Sequence, residues 1–97
     1  MRRQQALDIL SQHQPDLRAM GVKSLRLFGS LARDEATEAS DVDLLVEFDR
    51  PLGLFHFIRV RQFLQQVLGI ERVDLVMPDA LIEELRQDIF REAIRAA

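Results

Sequence analysis

Phe28-Gly29-Ser30 is followed, after ten intervening residues, by Asp41-Val42-Asp43-Leu44-Leu45-Val46. A glycine closing an apolar run lets backbone amides come close to an anion, and the serine beside it adds a hydroxyl. Alternate residues of a strand share a face, so Asp41 and Asp43 present two carboxylates to one side, roughly 7 Å apart at Cα, while Val42 points into a core. A phosphate-cradling turn beside paired hard oxygen ligands is the equipment for metal-dependent chemistry on a nucleoside triphosphate. A third carboxylate, Asp74, interrupts the apolar stretch Val73-Asp74-Leu75-Val76-Met77.

These residues need elements to hold them. From Arg3 to about His13, Ala6, Leu7 and Leu10 recur at helical spacing; Pro15 suits the first turn of a second short helix that Gly21 ends. Val22 to Phe28 alternates, with Leu25 and Leu27 facing one way and Ser24 and Arg26 the other, a strand that runs into Gly29. Ser30 to Arg33 reads as a brief helical turn and Asp34 to Ser40 as a polar loop. Asp41 to Phe48 is a second strand, Val42, Leu44, Val46 and Phe48 opposing Asp41, Asp43, Leu45 and Glu47. Past Pro51 and Gly53, Phe57, Val60, Leu64 and Val67 mark an amphipathic helix that Gly69 ends. Val73 to Met77 is a short buried strand with Asp74 as its misfit. Pro78-Asp79 opens a last helix with the apolar stripe Ile82, Leu85, Ile89 and Ala93. The expectation is one α/β (α+β) domain over residues 1–97, with a short mixed sheet and αβαβαβα order.

If the first two strands are antiparallel neighbours, Gly29-Ser30 and the aspartates lie at one sheet end. A crossover helix between the second and third strands makes their pairing parallel and brings Asp74 there too. Three carboxylates together repel and raise one another's pKa, a cost that a divalent cation reverses; hard oxygen donors select Mg²⁺ or Mn²⁺ over zinc. Two ions about 4 Å apart suit in-line displacement at phosphorus, activating the attacking hydroxyl and stabilising the leaving pyrophosphate.

Composition narrows the partners. The chain has 97 residues, 47% of them hydrophobic and 30% charged, which describes a small globular protein and not a disordered one. Its net charge of −3 gives no general reason to bind nucleic acid. Setting aside the three aspartates leaves 13 basic residues balanced by as many acidic ones, so the excess charge is accounted for by the candidate site. Without cysteine there is no disulfide, thiol nucleophile or Cys-based zinc site, and without an apolar signal core or a membrane-length run the cytoplasm is the expected address, with no membrane partner.

Gly29-Ser30, the ten-residue spacer, Asp41-x-Asp43 and the later Asp74 resemble the nucleotidyltransferase superfamily of DNA polymerase β, and in particular its minimal (MNT) members. The resemblance takes in Ser30-Leu31-Ala32-Arg33, Ser40 to Phe48 and Val73 to Val76. It implies the nucleotidyltransferase fold, and an antitoxin that transfers AMP from ATP to a tyrosine of a HEPN-domain ribonuclease toxin in a type VII-like pair. By the same resemblance Asp41 and Asp43 hold two Mg²⁺ ions, Asp74 completes one metal site and helps deprotonate the acceptor, and Gly29-Ser30 grips the triphosphate. One departure is Asp34, where many relatives carry glycine; aspartate tolerates a left-handed backbone better than most residues. The chain contains no tyrosine, so a tyrosine acceptor must come from another molecule and a hetero-oligomer is implied.

Other readings are weaker. Asp-x-Asp alone also serves glycosyltransferases and haloacid dehalogenase-type phosphatases, but in the latter the apolar strand precedes the aspartates, whereas here it follows them. Asp74 could be a locally bonded strand-end residue, though burying an unpaired charge is costly. Ser30 can cap the short helix while binding phosphate. Arg33 reads as structural, paired with Asp34 or Glu35, and Ser40 as a turn residue. His13 and His56 lack metal-ligand companions and read as surface or boundary residues; the stripes with Phe57 and Phe90 are core or partner surface. Glu47 shares the aspartates' face but lies too far along to join them. Two rival functions follow: an antitoxin that neutralises its partner by binding alone, and a nucleotidyltransferase acting on a small molecule, as in aminoglycoside modification, which lacks an acceptor-binding lobe here.

Overall fold

A computed structural model describes residues 1–35 and 41–97. The expected loop's tail, with Ser40, lies outside the described residues. Two helices, α1 (Arg3–Gln12) and α2 (Gln14–Ala19), precede strand β1 (Val22–Phe28), which runs without a loop into the single turn α3 (Gly29–Ala32). Then come β2 (Val42–Phe48), α4 (Leu54–Leu68), β3 (Val73–Val76), a 3-10 turn at Pro78–Ala80, α5 (Glu83–Glu92) and a two-residue strand, β4 (Ile94–Arg95). The sheet is mixed, in the order β3-β2-β1-β4. β1 pairs antiparallel with β2 and β4, and β2 pairs parallel with β3, as the crossover through α4 requires.

The alternation seen in the sequence sorts the two faces. Leu25 and Leu27 of β1, Val42, Leu44 and Val46 of β2, and Val73 and Leu75 of β3 point into one core with Ala6 and Leu10 of α1, Leu17 of α2, and Val60, Leu64 and Leu68 of α4. The helices therefore carry their apolar stripes to one side of the sheet, and the opposite face is left for Arg26, Phe28, Asp43, Glu47 and Asp74. Leu45, fully buried, belongs to that second face and not to the main core.

Three boundaries differ from expectation: the start of β2, the end of β3, which stops at Val76 and not at Met77, and the start of the last helix. Asp41 precedes β2 instead of opening it, and Asp74 is exposed, because it faces away from the helical layer on an edge strand. The last helix starts at Glu83, not at Pro78-Asp79: the proline sits in the 3-10 turn, and Ile82 is the residue before the helix. Its stripe does not enter a core. No residue of α5 is buried, Ala93 falls beyond its end, and Ile82 and Leu85 are 62% and 50% exposed. The chain's final turn back onto β1 as β4 is an addition to the expected order. Among the described residues no helix is long and apolar enough to cross a membrane.

Two truncations separate the layers. Leu64→Ala, at a fully buried site, should cost about 2–5 kcal/mol in urea unfolding with an unchanged m value, whereas Leu85→Ala should change stability by no more than about 0.5 kcal/mol. A large loss at Leu85 would mean that α5 is packed in the free chain.

Candidate active site

Strand pairing brings the carboxylates together. Asp43 stands opposite Phe28 of β1 on one side and Asp74 of β3 on the other, so Asp43 and Asp74 sit on the same face of adjacent strands, about 4.8 Å apart in the pairing direction. Asp41, two residues before Asp43, lies exposed at the same sheet end. Phe28 leads directly into Gly29, and the turn closes on Asp43.

That closure is tight. Gly29 has φ +73°, and a Cβ placed on it would lie 2.1 Å from Asp43 Oδ2. Both the backbone conformation and the aspartate exclude a side chain there. Asp34 takes the left-handed conformation at φ 61°, the position where the sequence showed aspartate in place of glycine.

Asp43 is electrostatically unusual. Partial burial pushes its carboxyl up to about 6, and the negative charges of Asp74, Asp41 and Glu92 push the same way while Arg33 opposes them. Asp41 and Asp74 also border an open groove of about 430 Å³ with Phe57, Arg61 and Arg72. Among the described residues no three acidic or imidazole side chains stand close enough to cage an ion as they are, although the three aspartates share a sheet end. The donor set still fits a hard divalent cation: it is all carboxylate oxygen, and a cation would relieve the repulsion that raises Asp43.

The family profile of the nucleotidyltransferase domain matches residues 3–96. The chain belongs to that family. Over 87 residues this nucleotidyltransferase is 41% identical to the protein adenylyltransferase MntA of Thermococcus cleftensis, covering 89% of this chain and 87% of the relative. Its fold is similar to a solved structure provisionally named a minimal nucleotidyltransferase, with a TM-score of 0.85, 36% identity, and coverage of 97% of this chain and 95% of the other. A chain from the structure of a tri-AMPylated Shewanella oneidensis HEPN toxin in complex with an MNT antitoxin shares the fold at a TM-score of 0.65 and 20% identity, over 94% of this chain and 71% of that one.

Beyond the three aspartates, other side chains of this nucleotidyltransferase find partners. Glu47 accepts from Arg26 Nη1 at 2.6 Å and from Ser24 Oγ at 3.2 Å; burial pushes its carboxyl up, but these bonds outweigh it and leave the pKa below the usual value. Arg26 in turn lies 5.2 Å from the centre of the Phe90 ring, which places α5 over this face. His56 is half-buried and bonds the Met20 carbonyl. Sequence reasoning missed Glu92. Its carboxylate accepts from the Gly29 N–H at 3.2 Å and from Arg33 Nη1 at 3.2 and 3.0 Å, while Arg33 Nε donates to Glu35 at 3.2 Å. Arg33 therefore pairs with Glu35, as one reading of the sequence had it, and also with Glu92. A contact across 63 residues from a solvent-facing helix end leaves no periodic signal.

Two measurements test this geometry. Because Asp43 titrates near 6 when folded and near 3.8 otherwise, the folded state binds the extra proton between those values, and the carboxylate's penalty grows as pH rises through them. Asp43→Asn should therefore raise stability at about pH 7 by of the order of 1 kcal/mol, after discounting for solvent screening, and change little at about pH 4. Melting curves without divalent ions check it; a gap that does not shrink with acid contradicts the assignment. Gly29→Ala should cost about 1–3 kcal/mol, and in a double-mutant cycle Asp43→Ala should recover at least about 0.5 kcal/mol of that loss. Strict additivity would rule out the contact.

Proposed function

We propose that this nucleotidyltransferase is a Mg²⁺-dependent protein adenylyltransferase that moves AMP from ATP to a tyrosine of a HEPN ribonuclease and so acts as that toxin's antitoxin. The observation that carries the proposal is the register placing Asp43 beside Asp74 at the end of the sheet where the Gly29 turn closes. The 41% identity to a protein adenylyltransferase supports the choice of reaction. The absence of tyrosine from these 97 residues supports an acceptor on a partner.

In this reading Asp41 and Asp43 hold two Mg²⁺ ions, or Mn²⁺ in their place, with Asp74 completing one of the two sites. When bound, the ions neutralise charge on the α-phosphate and the departing pyrophosphate. The Gly29 turn and the Ser30 hydroxyl hold the β and γ phosphates. Asp74, exposed beside Asp43, helps take the phenolic proton as the tyrosine oxygen attacks the α-phosphorus. The new O–P bond forms as the bond to the bridging oxygen breaks, and pyrophosphate leaves from the turn. Phe55, Ile82 and Leu85, at 84%, 62% and 50% exposure, supply apolar surface suited to a protein partner, and they are also what a purely binding antitoxin would use.

The decisive mixture contains the chain, ATP, Mg²⁺ and the product of the neighbouring gene, which this reading expects to be a HEPN protein. Intact-mass spectrometry should show that protein gaining AMP, and the gain should vanish with Asp41→Ala/Asp43→Ala. Toxin neutralisation should fall with it. Full neutralisation by the double variant would instead establish the binding-only reading, and AMP transfer to an aminoglycoside by the chain alone would establish the small-molecule one.

A further inference from the structure

The C-terminal helix is held to the rest of the molecule in an unusual way. None of its ten residues is fully buried, and Ile89 and Phe90 are only partly covered, so apolar burial holds this helix less firmly than it holds α1, α2 and α4. Its attachments across the open face include the Phe90 ring against the Arg26 guanidinium and the Glu92 carboxylate on Gly29 and Arg33. Arg86, by contrast, bonds the carbonyls of Pro78 and Leu81, just before the helix.

The Glu92 attachment coincides with the turn assigned to the triphosphate. A backbone N–H and a guanidinium edge are the donors that a phosphate oxygen takes, and a carboxylate takes them with the same geometry and less charge. We propose that Glu92 is an internal stand-in for phosphate: it occupies the Gly29 amide and Arg33 until a nucleoside triphosphate displaces it, so that nucleotide binding loosens the end of α5. This deepens the triphosphate reading given above and rests on it.

Two observations favour exchange over simultaneous occupancy. The Gly29 N–H is one donor, and Glu92 Oε1 accepts it. Glu92 and Arg33 are 34% and 46% exposed, so water screens their pair and little energy holds it closed. A triphosphate brings more negative charge to the same donors, and it would also set Glu92, already close enough to act on Asp43, against a stronger like charge. The released helix end carries Phe90 with it, which extends the exposed apolar surface of Ile82 and Leu85 in the nucleotide-bound form. Glu92 acts here through the turn and is a positioning residue, not a catalytic one.

The test uses the full chain, Mg²⁺ and α,β-methylene ATP, which binds without transferring. Isothermal titration calorimetry should show Glu92→Gln and Glu92→Ala binding the analogue about three- to tenfold more tightly than the parent. In the parent chain, amide hydrogen exchange across 83–92 should accelerate when the analogue is added, while in Glu92→Gln it should be fast from the start and unchanged. Equal or weaker binding by both variants, with the parent binding normally, overturns the proposal and leaves the triphosphate site standing. Slower exchange of α5 in the parent on adding analogue overturns it as well, a result that needs no variant to fold. Failure of parent and variants alike to bind the analogue would remove the triphosphate reading, and this inference with it.

Discussion

Asp43 is held by backbone pairing on both sides, and the rest of the site depends on that. One neighbouring strand delivers Phe28 and then the Gly29 turn; the other delivers Asp74. Neither arrangement is electrostatically comfortable, since Asp43 is partly desolvated and faces further negative charge. The register persists because the opposite side of the same strand is dry: Val42, Leu44 and Val46 are at most 2% exposed. Slipping β2 by one residue would spread its charges but send those three side chains into water. Apolar burial on one face thus fixes repulsion on the other.

The two faces of the sheet consequently have different energetics. Helices α1, α2 and α4 cover one with a continuous apolar core, which should open only with the whole fold. The other carries Leu45 and is met by α5 through an aromatic-guanidinium contact, an exposed ion pair and the Gly29 N–H bond, with β4 following directly behind. Few buried contacts mean a low free energy of local opening. A rigid platform for the carboxylates and a compliant cover above them follow from the same distribution of leucines and valines.

Much of this was legible in the sequence because period-two alternation and connection rules act locally. Leu25 and Leu27 against Arg26 gave β1 its faces, the crossover through Val60 and Leu64 gave the parallel pairing, and together they predicted that Asp74 joins Asp43. The same logic could not find β4. Ile94–Arg95 is too short to show a period and becomes a strand only by meeting Arg26 and Leu27. Helical spacing did identify Ile82, Leu85 and Ile89 as a stripe, but a stripe records amphipathicity and not the neighbour it faces; here none of it is buried. Glu92 was beyond reach for a different reason: nothing about a glutamate at a helix end distinguishes one that bonds a distant turn from one that meets water.

The contact between Gly29 and Asp43 bears on how such chains drift over evolutionary time. The aspartate bars any side chain at Gly29, but the positive φ favours glycine there independently. A lineage that lost the carboxylate would gain room at Gly29 and still meet a left-handed backbone there, a conformation that Asp34 shows a short polar side chain can adopt. Loss of the aspartate would thus ease replacement of the glycine without making every residue acceptable.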